Sequence, residues 1–252
     1  MPILNVNHVS KIYGTKQKFK ALHDINFSVD KGEFVAIMGP SGSGKTTLLN
    51  VISSIDSISD GTVEISGNEI NQLSNKKLAQ FRKKELGFIF QDYSVLPTLT
   101  FKENIMLPLS VQKMKKDEME KNYQDVTEAL GIYDLSDKYP SEISGGQQQR
   151  TAAARAFVHR PSIIFADEPT GALDSKSAQD LLHRLEDMNK QFNSTIIMVT
   201  HDPSAASFAQ RVIMLKDGDI HSDIHQQSKT KSTFYNEIIQ LQSALGGVAN
   251  DV

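Results

Sequence analysis

The sequence predicts an α/β fold with a mostly parallel β-sheet core, an antiparallel β subdomain and a helical subdomain. Short, fully apolar runs bounded by loops, at residues 34–38, 162–166 and 195–200, are typical of central parallel strands. The N-terminal segment instead alternates apolar and polar side chains, which indicates half-buried antiparallel strands. Residues 76–138 are charged and helical in pattern, apart from a strand-like run at 86–90.

Composition sets limits on the class of protein. A chain of 252 residues fits one large α/β domain, or a core with a smaller subdomain. Its net charge of −3 and pI near 6.2 give no general attraction to nucleic acid, so we expect no nucleic-acid partner. The chain has no cysteine, which excludes disulfides and thiolate metal sites and fits a reducing cytosol.

The apolar segments are too short to place the chain in a membrane. Its start lacks the basic-then-apolar plan of a signal peptide. The apolar runs are far shorter than the ~20 residues that a membrane helix needs. We therefore expect that the chain does not cross a membrane, and that any role in transport requires a second polypeptide.

A glycine-rich loop follows the first apolar strand, Phe34–Met38, and residues 47–52 read as the helix after it. Strand, glycine loop and helix in this order predict a phosphate-binding site, because glycines allow backbone N–H groups to surround a triphosphate and the helix adds its N-terminal dipole. We expect Lys45 to neutralise the β- and γ-phosphates and the Thr46 hydroxyl to ligate Mg²⁺. The predicted nucleotide-binding residues here are Gly39, Pro40, Ser41, Gly42, Ser43, Gly44, Lys45, Thr46 and Thr47.

Further patterns organise the rest of the chain. The dipeptide Asp60-Gly61 predicts a turn between two strands, the second at residues 62–65. Residues 113–130 predict a solvated helical subdomain. The region after Asp217-Gly218 is polar at 221–233 and then predicts an amphipathic helix, with Phe234, Ile238, Leu241 and Leu245 on one side. This helix can pack on the chain's own surface or on a partner subunit.

Two acidic residues end the apolar run at 162–166. Parallel sheets present their ligand crevice at the carboxyl ends of the strands, so Asp167 is expected beside the phosphate loop. It would hold Mg²⁺ through water, and Glu168 would polarise the attacking water as general base. The alternative is that these two acidic residues only cap a helix. The phosphate-loop lysine, Lys45, which lies 122 residues earlier, argues against this alternative.

A third motif lies at residues 143–150, where the chain reads Ile-Ser-Gly-Gly-Gln-Gln-Gln-Arg. Ser144 stands 23 positions before Asp167, and its neighbouring amides suit phosphate binding at a helix start. Together the three motifs resemble the ATP-binding cassette of ABC transporters, from about Leu4 to Asp219. The resemblance implies a cassette at residues 1–219 with a helical subdomain at about 92–160, then a polar linker and C-terminal helix at 220–252.

The resemblance also assigns three residues whose signals are weak alone. Gln91 is similar to the glutamine that reaches Mg²⁺ and water, although it would otherwise be a surface residue. His201 is similar to the switch histidine at the γ-phosphate, although lone histidines are more often structural. Tyr13 is similar to the aromatic residue that stacks on adenine, although an aromatic near an N-terminal strand is ordinary core.

In this family the third motif completes the ATP site of a second cassette. The resemblance therefore assigns Ser144, Gly145, Gly146 and Gln147 to the nucleotide of another copy, and Asp174 to the loop joining the two sites. No internal repeat is present, so we expect a homodimer or a heterodimer with a related subunit. Ile143 and Ala172 depart from the commoner family residues without removing a ligand.

Residues 90–100, 103–105 and 107–109 resemble the branch that serves macrolide export, lipoprotein release and bacitracin export. Residues 170–176 favour the bacitracin-export group. This implies an ATPase that powers a separate multi-span permease and lies peripherally at the cytoplasmic face of the membrane. A lipoprotein-release or cell-division ATPase of this branch, and a soluble ABC ATPase without a permease, are the alternatives. The soluble type usually carries two cassettes or long insertions, and neither is present.

Val95, Leu96 and Leu99 form an apolar stretch between Gln91 and the charged helices. Local packing under the subdomain is one explanation. The other, which the resemblance suggests, is the wall of a groove that receives a cytoplasmic helix of the permease.

Overall fold

The computed structural model describes residues 2–246, which form two compact units. Among the described residues, the first unit comprises 2–74 and 197–246, and the second 75–196. Met1 and the end of the predicted C-terminal segment, residues 247–252, lie outside the described residues.

An antiparallel sheet opens the first unit, as the alternating pattern predicts. It contains β1 (Pro2–Tyr13), β2 (Phe19–Asp30), β4 (Asp60–Ile65) and β5 (Asn68–Glu69) in the order β2-β1-β4-β5. Both β1 and β2 bury several apolar side chains, and the register between the two strands shifts at more than one point. The buried residues include Leu4, Val6, Val9, Leu22 and Ile25.

The turn predicted at Asp60-Gly61 is wrong, because both residues belong to β4. The hairpin turn is Ser66-Gly67, with positive φ angles of 51° and 75°. Gly61 is needed for a different reason: it has a φ of 91°, and a Cβ on it would lie 2.3 Å from the His8 carbonyl oxygen. The register of β1 against β4 shifts at this point, so a bulge presses its backbone onto the glycine.

The first unit also contains β3 (Phe34–Met38), α1 (Lys45–Ile52), β9 (Arg211–Lys216) and β10 (Asp219–His225). Strand β3 is parallel to β9, and β10 is antiparallel to β9. The predicted polar linker therefore begins as an edge strand. Its half-buried positions alternate with exposed ones, a pattern obscured in the sequence by polar residues on both faces. Strand β8 (Thr195–Val199) contains the boundary between the units.

The C-terminal helix α8 (Lys231–Gly246) packs on the chain's own surface, against α7 (Pro203–Ala206). Phe234 and Ile238 are completely buried, and Leu245 is 7% exposed. Of the two alternatives for this helix, the structure shows packing on the chain's own surface, where its apolar residues Phe234, Ile238 and Leu245 are buried.

The second unit is mainly helical. Its strands β6 (Leu86–Ile89) and β7 (Ile163–Asp167) are parallel. Residues 90–100 form a loop, whereas the sequence pattern predicted helical structure in residues 76–138 outside the strand-like run at 86–90. The helices are α2 (Asn75–Glu85), α3 (Phe101–Gln112), α4 (Lys116–Ala129), α5 (Gly145–Phe157) and α6 (Ser175–Phe192).

Asn104 on α3 holds the 90–100 loop. Its side chain is fully buried, accepts a hydrogen bond from Leu96 N, and donates to the carbonyls of Leu96, Leu99 and Thr100 at 3.0–3.1 Å. Thr100 and Glu103 form a capping box that starts the helix. A loop without regular hydrogen bonding is thus ordered by one amide.

Gly61→Ala should lower the midpoint of thermal unfolding more than Gly67→Ala. Both glycines have positive φ, so each alanine carries a conformational cost of roughly 1–2 kcal/mol. Only Gly61 adds a clash, because a Cβ on Gly67 meets no described atom within 4 Å. Scanning calorimetry of the two variants checks this, and equal shifts would contradict the bulge as the reason for Gly61.

Candidate functional site

The glycine-rich loop joins β3 to α1 in a conformation that requires glycine. Gly39, Gly42 and Gly44 have φ angles of 156°, 79° and 100°. A Cβ on Gly39 would lie 2.1 Å from the Leu215 carbonyl oxygen, whereas one on Gly42 would meet no atom of the described chain within 4 Å. Glycine at the N-cap of α1 supplies no side-chain acceptor, so the first-turn N–H groups lack a capping side chain. This arrangement suits an anionic ligand.

Two side chains of the loop are placed for phosphate chemistry. The Lys45 ammonium donates to the carbonyls of Gly39 and Pro40, at 2.9 Å each, so it lies across the loop. The Ser43 hydroxyl is buried with no hydrogen-bond partner among the described residues. A buried polar group without a partner costs ~1–3 kcal/mol, and a bound anion near the loop would relieve this.

His201 lies in the same unit, just past the end of β8. The amide of Thr200 donates to the Ile37 carbonyl at 3.2 Å, which sets this chain end beside the strand that enters the loop. Asp202 caps the short helix that follows, accepting from Ser204 N at 2.8 Å. The amide of Gln242, on α8, donates to the His201 carbonyl at 3.4 Å.

Tyr13 ends β1 and is 39% exposed. Its hydroxyl donates to Asp56 Oδ2 at 2.8 Å and also hydrogen bonds with the Thr47 side chain. Burial and the Asp56 carboxylate raise the pKa of Tyr13, so the phenol keeps its proton. The ring therefore stands next to the first turn of α1.

In the second unit, Asp167 ends β7 and Glu168 begins the loop after it. Glu168 has a φ of 45°, in the left-handed region that non-glycine residues rarely adopt. Such strain costs on the order of 1–3 kcal/mol and clusters at functional sites. The Gly171 amide donates to the Glu168 carbonyl at 2.9 Å and closes this turn.

Gln91 is packed against the same turn. A Cβ on Gly171 would lie 2.8 Å from Gln91 Nε2, so glycine makes room for the side chain. Tyr93 follows, and its hydroxyl donates to the Ala172 carbonyl at 3.3 Å. The same hydroxyl would be 2.7 Å from a Cβ on Gly145. The structure thus brings the loops at 91–94, 144–147 and 168–174 together; we call them the three-loop cluster.

The predicted phosphate-binding segment begins α5. Ser144 is its N-cap and forms a capping box, with its hydroxyl accepting from Gln147 N at 3.3 Å and Gln147 Oε1 accepting from Ser144 N at 2.9 Å. Gly145 and Gly146 occupy the first helical turn. Their small size leaves their amides accessible to an anion approaching the helix start.

Asp174 caps the next helix, α6. Its carboxylate accepts from the amides of Lys176 and Ser177 at 3.0 Å and from the Ser177 hydroxyl at 2.6 Å. The Ser177 hydroxyl is the main cause of the lowered pKa of Asp174, so the side chain is ionised. Asp174 therefore has a structural role within this chain, beside the role in the dimer that the resemblance assigns.

Gln149 is a residue whose role the sequence did not reveal. It is fully buried on α5, and its amide donates to the Phe90 carbonyl at 3.0 Å and to the Pro169 carbonyl at 2.6 Å. Phe90 precedes Gln91, and Pro169 follows Glu168. One amide thus ties the three-loop cluster together. A glutamine among small residues on the buried side of α5 was the available signal.

A cavity of about 470 Å³ opens elsewhere in the second unit. Arg155 spans its wall, donating to the carbonyls of Ser94 and Tyr93 at 2.6 and 3.2 Å. Burial lowers the pKa of His159, whose Nε2 donates to the Leu86 carbonyl at 3.0 Å. The cavity is lined by Arg82, Lys83, Leu86, Gly87, Phe88, Phe90, Ser94, Leu107, Pro108, Val111, Arg155, Ala156 and His159. The expected groove wall, Val95, Leu96 and Leu99, is not among these residues.

The structure brings the predicted residues together in two groups. Tyr13, the phosphate loop and His201 belong to the first unit. Gln91, Asp167, Glu168, Asp174 and the start of α5 belong to the second.

The donors expected for Mg²⁺ are the Thr46 hydroxyl, the Gln91 amide oxygen and the Asp167 carboxylate. All are oxygen ligands of the kind that Mg²⁺ prefers. Within residues 2–246, no group of three or more His, Cys, Asp or Glu side chains is placed to hold a metal ion. This donor set fits an ion that shares its coordination with phosphates and water.

Across the described helices, none combines the length and apolar character needed to cross a membrane.

Comparison with known proteins identifies the family. The ABC transporter family model matches residues 22–171. The chain is 57% identical to the bacitracin export ATP-binding protein BceA of Halalkalibacterium halodurans, over the full length of both. It is 41% identical to the macrolide export ATP-binding/permease protein MacB of Aggregatibacter actinomycetemcomitans, over 94% of this chain and 36% of that protein.

A solved structure extends the similarity. The dimeric post-hydrolysis state of the ATP-binding cassette MJ0796, bound to ADP and Pi, superposes with a TM-score of 0.80 and 37% identity, covering 89% of this chain and 99% of that one. The motifs, the fold and these relatives agree. The chain belongs to the ABC transporter family, as an ATP-binding cassette that hydrolyses ATP.

Proposed function

We propose that this chain hydrolyses Mg²⁺-bound ATP to power a separate membrane permease that exports peptide antibiotics of the bacitracin kind or protects against them. The observation that carries the proposal is the 57% identity to a bacitracin export ATP-binding protein, which extends over all residues of both sequences. The macrolide export relative carries its permease in the same polypeptide, as its name states. With no membrane-spanning helix in its described part, this chain requires a partner for transport.

Nucleotide binding falls to the first unit. Tyr13 stacks on the adenine, and the loop amides of residues 41–46 surround the phosphates. Lys45, which now donates to loop carbonyls, turns to the β- and γ-phosphates. Replacing the carbonyls by phosphate favours ATP binding, because a hydrogen bond from an ammonium to a charged phosphate is stronger than one to a neutral carbonyl. His201 contacts the γ-phosphate.

Hydrolysis falls to the second unit. Glu168 accepts the proton of the attacking water, and Gln91 helps to orient that water. Glu168 lies in a turn with a left-handed backbone conformation, and the Gln91 side chain packs against Gly171 of the same turn. Both contacts restrict where the two side chains can lie. Thr46, Gln91 and Asp167 would hold Mg²⁺, which would supply positive charge to the phosphates.

A second cassette supplies the remaining contacts. Ser144, Gly145, Gly146 and Gln147 bind the nucleotide of the partner copy through the start of α5, and Asp174 joins the two sites. A homodimer is the simplest arrangement. The dimeric MJ0796 structures support this for a cassette of similar fold.

The permease contacts the cavity in the second unit. Its apolar residues, with Leu107 37% and Val111 53% exposed, suit the apolar side of a short helix. Residues 95–99, where the sequence placed this contact, are the competing surface, with Leu96 43% exposed. The chain would then sit peripherally at the cytoplasmic face of the membrane.

Glu168→Gln should retain ATP binding and hydrolyse ATP at least ~100-fold more slowly, the scale expected for a lost general base. Lys45→Ala should instead lose productive ATP binding, because the phosphate charge is left without its cation. Equilibrium binding of a fluorescent ATP analogue and steady-state phosphate release separate the two defects. Wild-type turnover by Glu168→Gln, or equal nucleotide occupancy of both variants, would refute this division of roles.

Val111→Asp should abolish copurification with the coexpressed permease, because it removes an apolar anchor and places a hydrated carboxylate in the contact. Basal ATPase activity of the isolated subunit should change less than about twofold, since the side chain is largely exposed. Leu96→Asp is the matched control and should retain the permease. If Leu96→Asp loses the permease while Val111→Asp keeps it, docking occurs at residues 95–99 and the cavity is the wrong surface.

A further inference from the structure

A compact polar cluster stands behind Tyr13. The Lys11 ammonium lies over one face of the Tyr13 ring, 4.8 Å from its centroid, while the Asp56 carboxylate accepts from the phenol. Because the ammonium occupies one face, the opposite face is the one left to stack on a flat ligand. An aromatic ring with both its edge and its rear face fixed is a rigid platform.

Asp56 connects the members of this cluster. Its Oδ1 lies 2.8 Å from Lys11 Nζ and its Oδ2 accepts from Tyr13 at 2.8 Å. Lys11 Nζ also donates to the Ser57 carbonyl at 2.5 Å, and its side chain is only 7% exposed. The hydrogen bond from Lys11 is the main cause of the lowered pKa of Asp56, so the carboxylate is ionised and the pair is charged.

The loop that carries Asp56 follows the phosphate-binding helix α1. The Asp56 amide donates to the Asn50 carbonyl, on α1, at 3.0 Å. Ser59 fastens the loop to β1, because its hydroxyl accepts from Ile12 N at 2.9 Å. The position of the Tyr13 ring is therefore set from the helix that binds phosphate.

We propose that Lys11 and Asp56 are positioning residues for the nucleobase, which hold Tyr13 at a fixed distance from the phosphate loop as a one-faced platform for adenine. This inference rests on the proposed ATP binding. Neither residue touches the nucleotide; both act through Tyr13.

The energetics favour positioning over simple stabilisation. A nearly buried lysine loses hydration, and its ion pair commonly adds little net stability compared with apolar packing. A pre-set ring, by contrast, loses little rotamer freedom when adenine stacks on it, so more of the stacking energy appears as affinity. The cluster thus contributes more to the affinity for the nucleotide than to the stability of the fold.

Asp56→Ala should raise the KM for ATP by about 5- to 20-fold, within the range that loss of a base stack would give. The kcat should change less than about twofold, because the reacting γ-phosphate is unaffected. The inhibition constant of inorganic tripolyphosphate, which has no base, should stay within about twofold of wild type. Asp24→Ala, which removes a β2 carboxylate that lies 2.7 Å from His8 Nδ1 on β1, is the matched control and should leave all three constants unchanged.

Tyr13→Phe removes the hydroxyl's hydrogen bonds to both Asp56 and Thr47 while keeping the ring, and should raise the KM for ATP about threefold. It remains informative if Asp56→Ala does not fold. An unchanged KM in both variants, or equal weakening of ATP and tripolyphosphate, would overturn the proposal. A wild-type chain without ATPase activity would instead refute the proposed function.

Discussion

The buried amide of Gln149 is the interaction on which the hydrolytic half of this molecule depends. The two carbonyls it binds belong to loops that leave parallel strands and so have no ladder partners there. Without Gln149, the Pro169 carbonyl would be a buried acceptor that lacks this donor, at about 1–3 kcal/mol, and the half-buried Phe90 carbonyl would lose its bond as well. The helix that begins with Gly145 and Gly146 is therefore fixed to the loops of Gln91 and Glu168. Because Gln149 connects them, a displacement of α5, of the Gln91 loop or of the Glu168 loop should also displace the other two segments.

The phosphate-binding half is organised by a different constraint, the backbone freedom of glycine. Gly39 passes close to the Leu215 carbonyl, and Gly44 begins α1 with a left-handed conformation. These conformations keep amides unpaired by side chains, as an anion site requires. The same loop contains the buried Ser43 hydroxyl and the Lys45 ammonium, which donates to the Gly39 carbonyl.

The central strands follow from the sequence because they are uniformly apolar and buried on both faces, as at Phe34–Met38. Local rules failed where a distant segment decides the conformation. Asp60-Gly61 has the composition of a turn, but the glycine is needed because a bulge in β1 brings the His8 carbonyl close to it. Gln149 was unassigned because its partners lie 59 and 20 residues away. The cavity is lined by residues from α2, β6, α3 and α5, so no single stretch of sequence could predict it.

The central claim is that two copies of this chain complete two ATP sites. Light scattering of Glu168→Gln, coupled to size-exclusion chromatography, tests it most directly, because slowed hydrolysis lets the ATP-bound dimer accumulate. With ATP we expect a dimer that retains one nucleotide per chain, and with ADP a monomer. Lys45→Ala should stay monomeric with either nucleotide. A Glu168→Gln chain that binds ATP but remains monomeric at saturating concentrations would contradict the shared-site account.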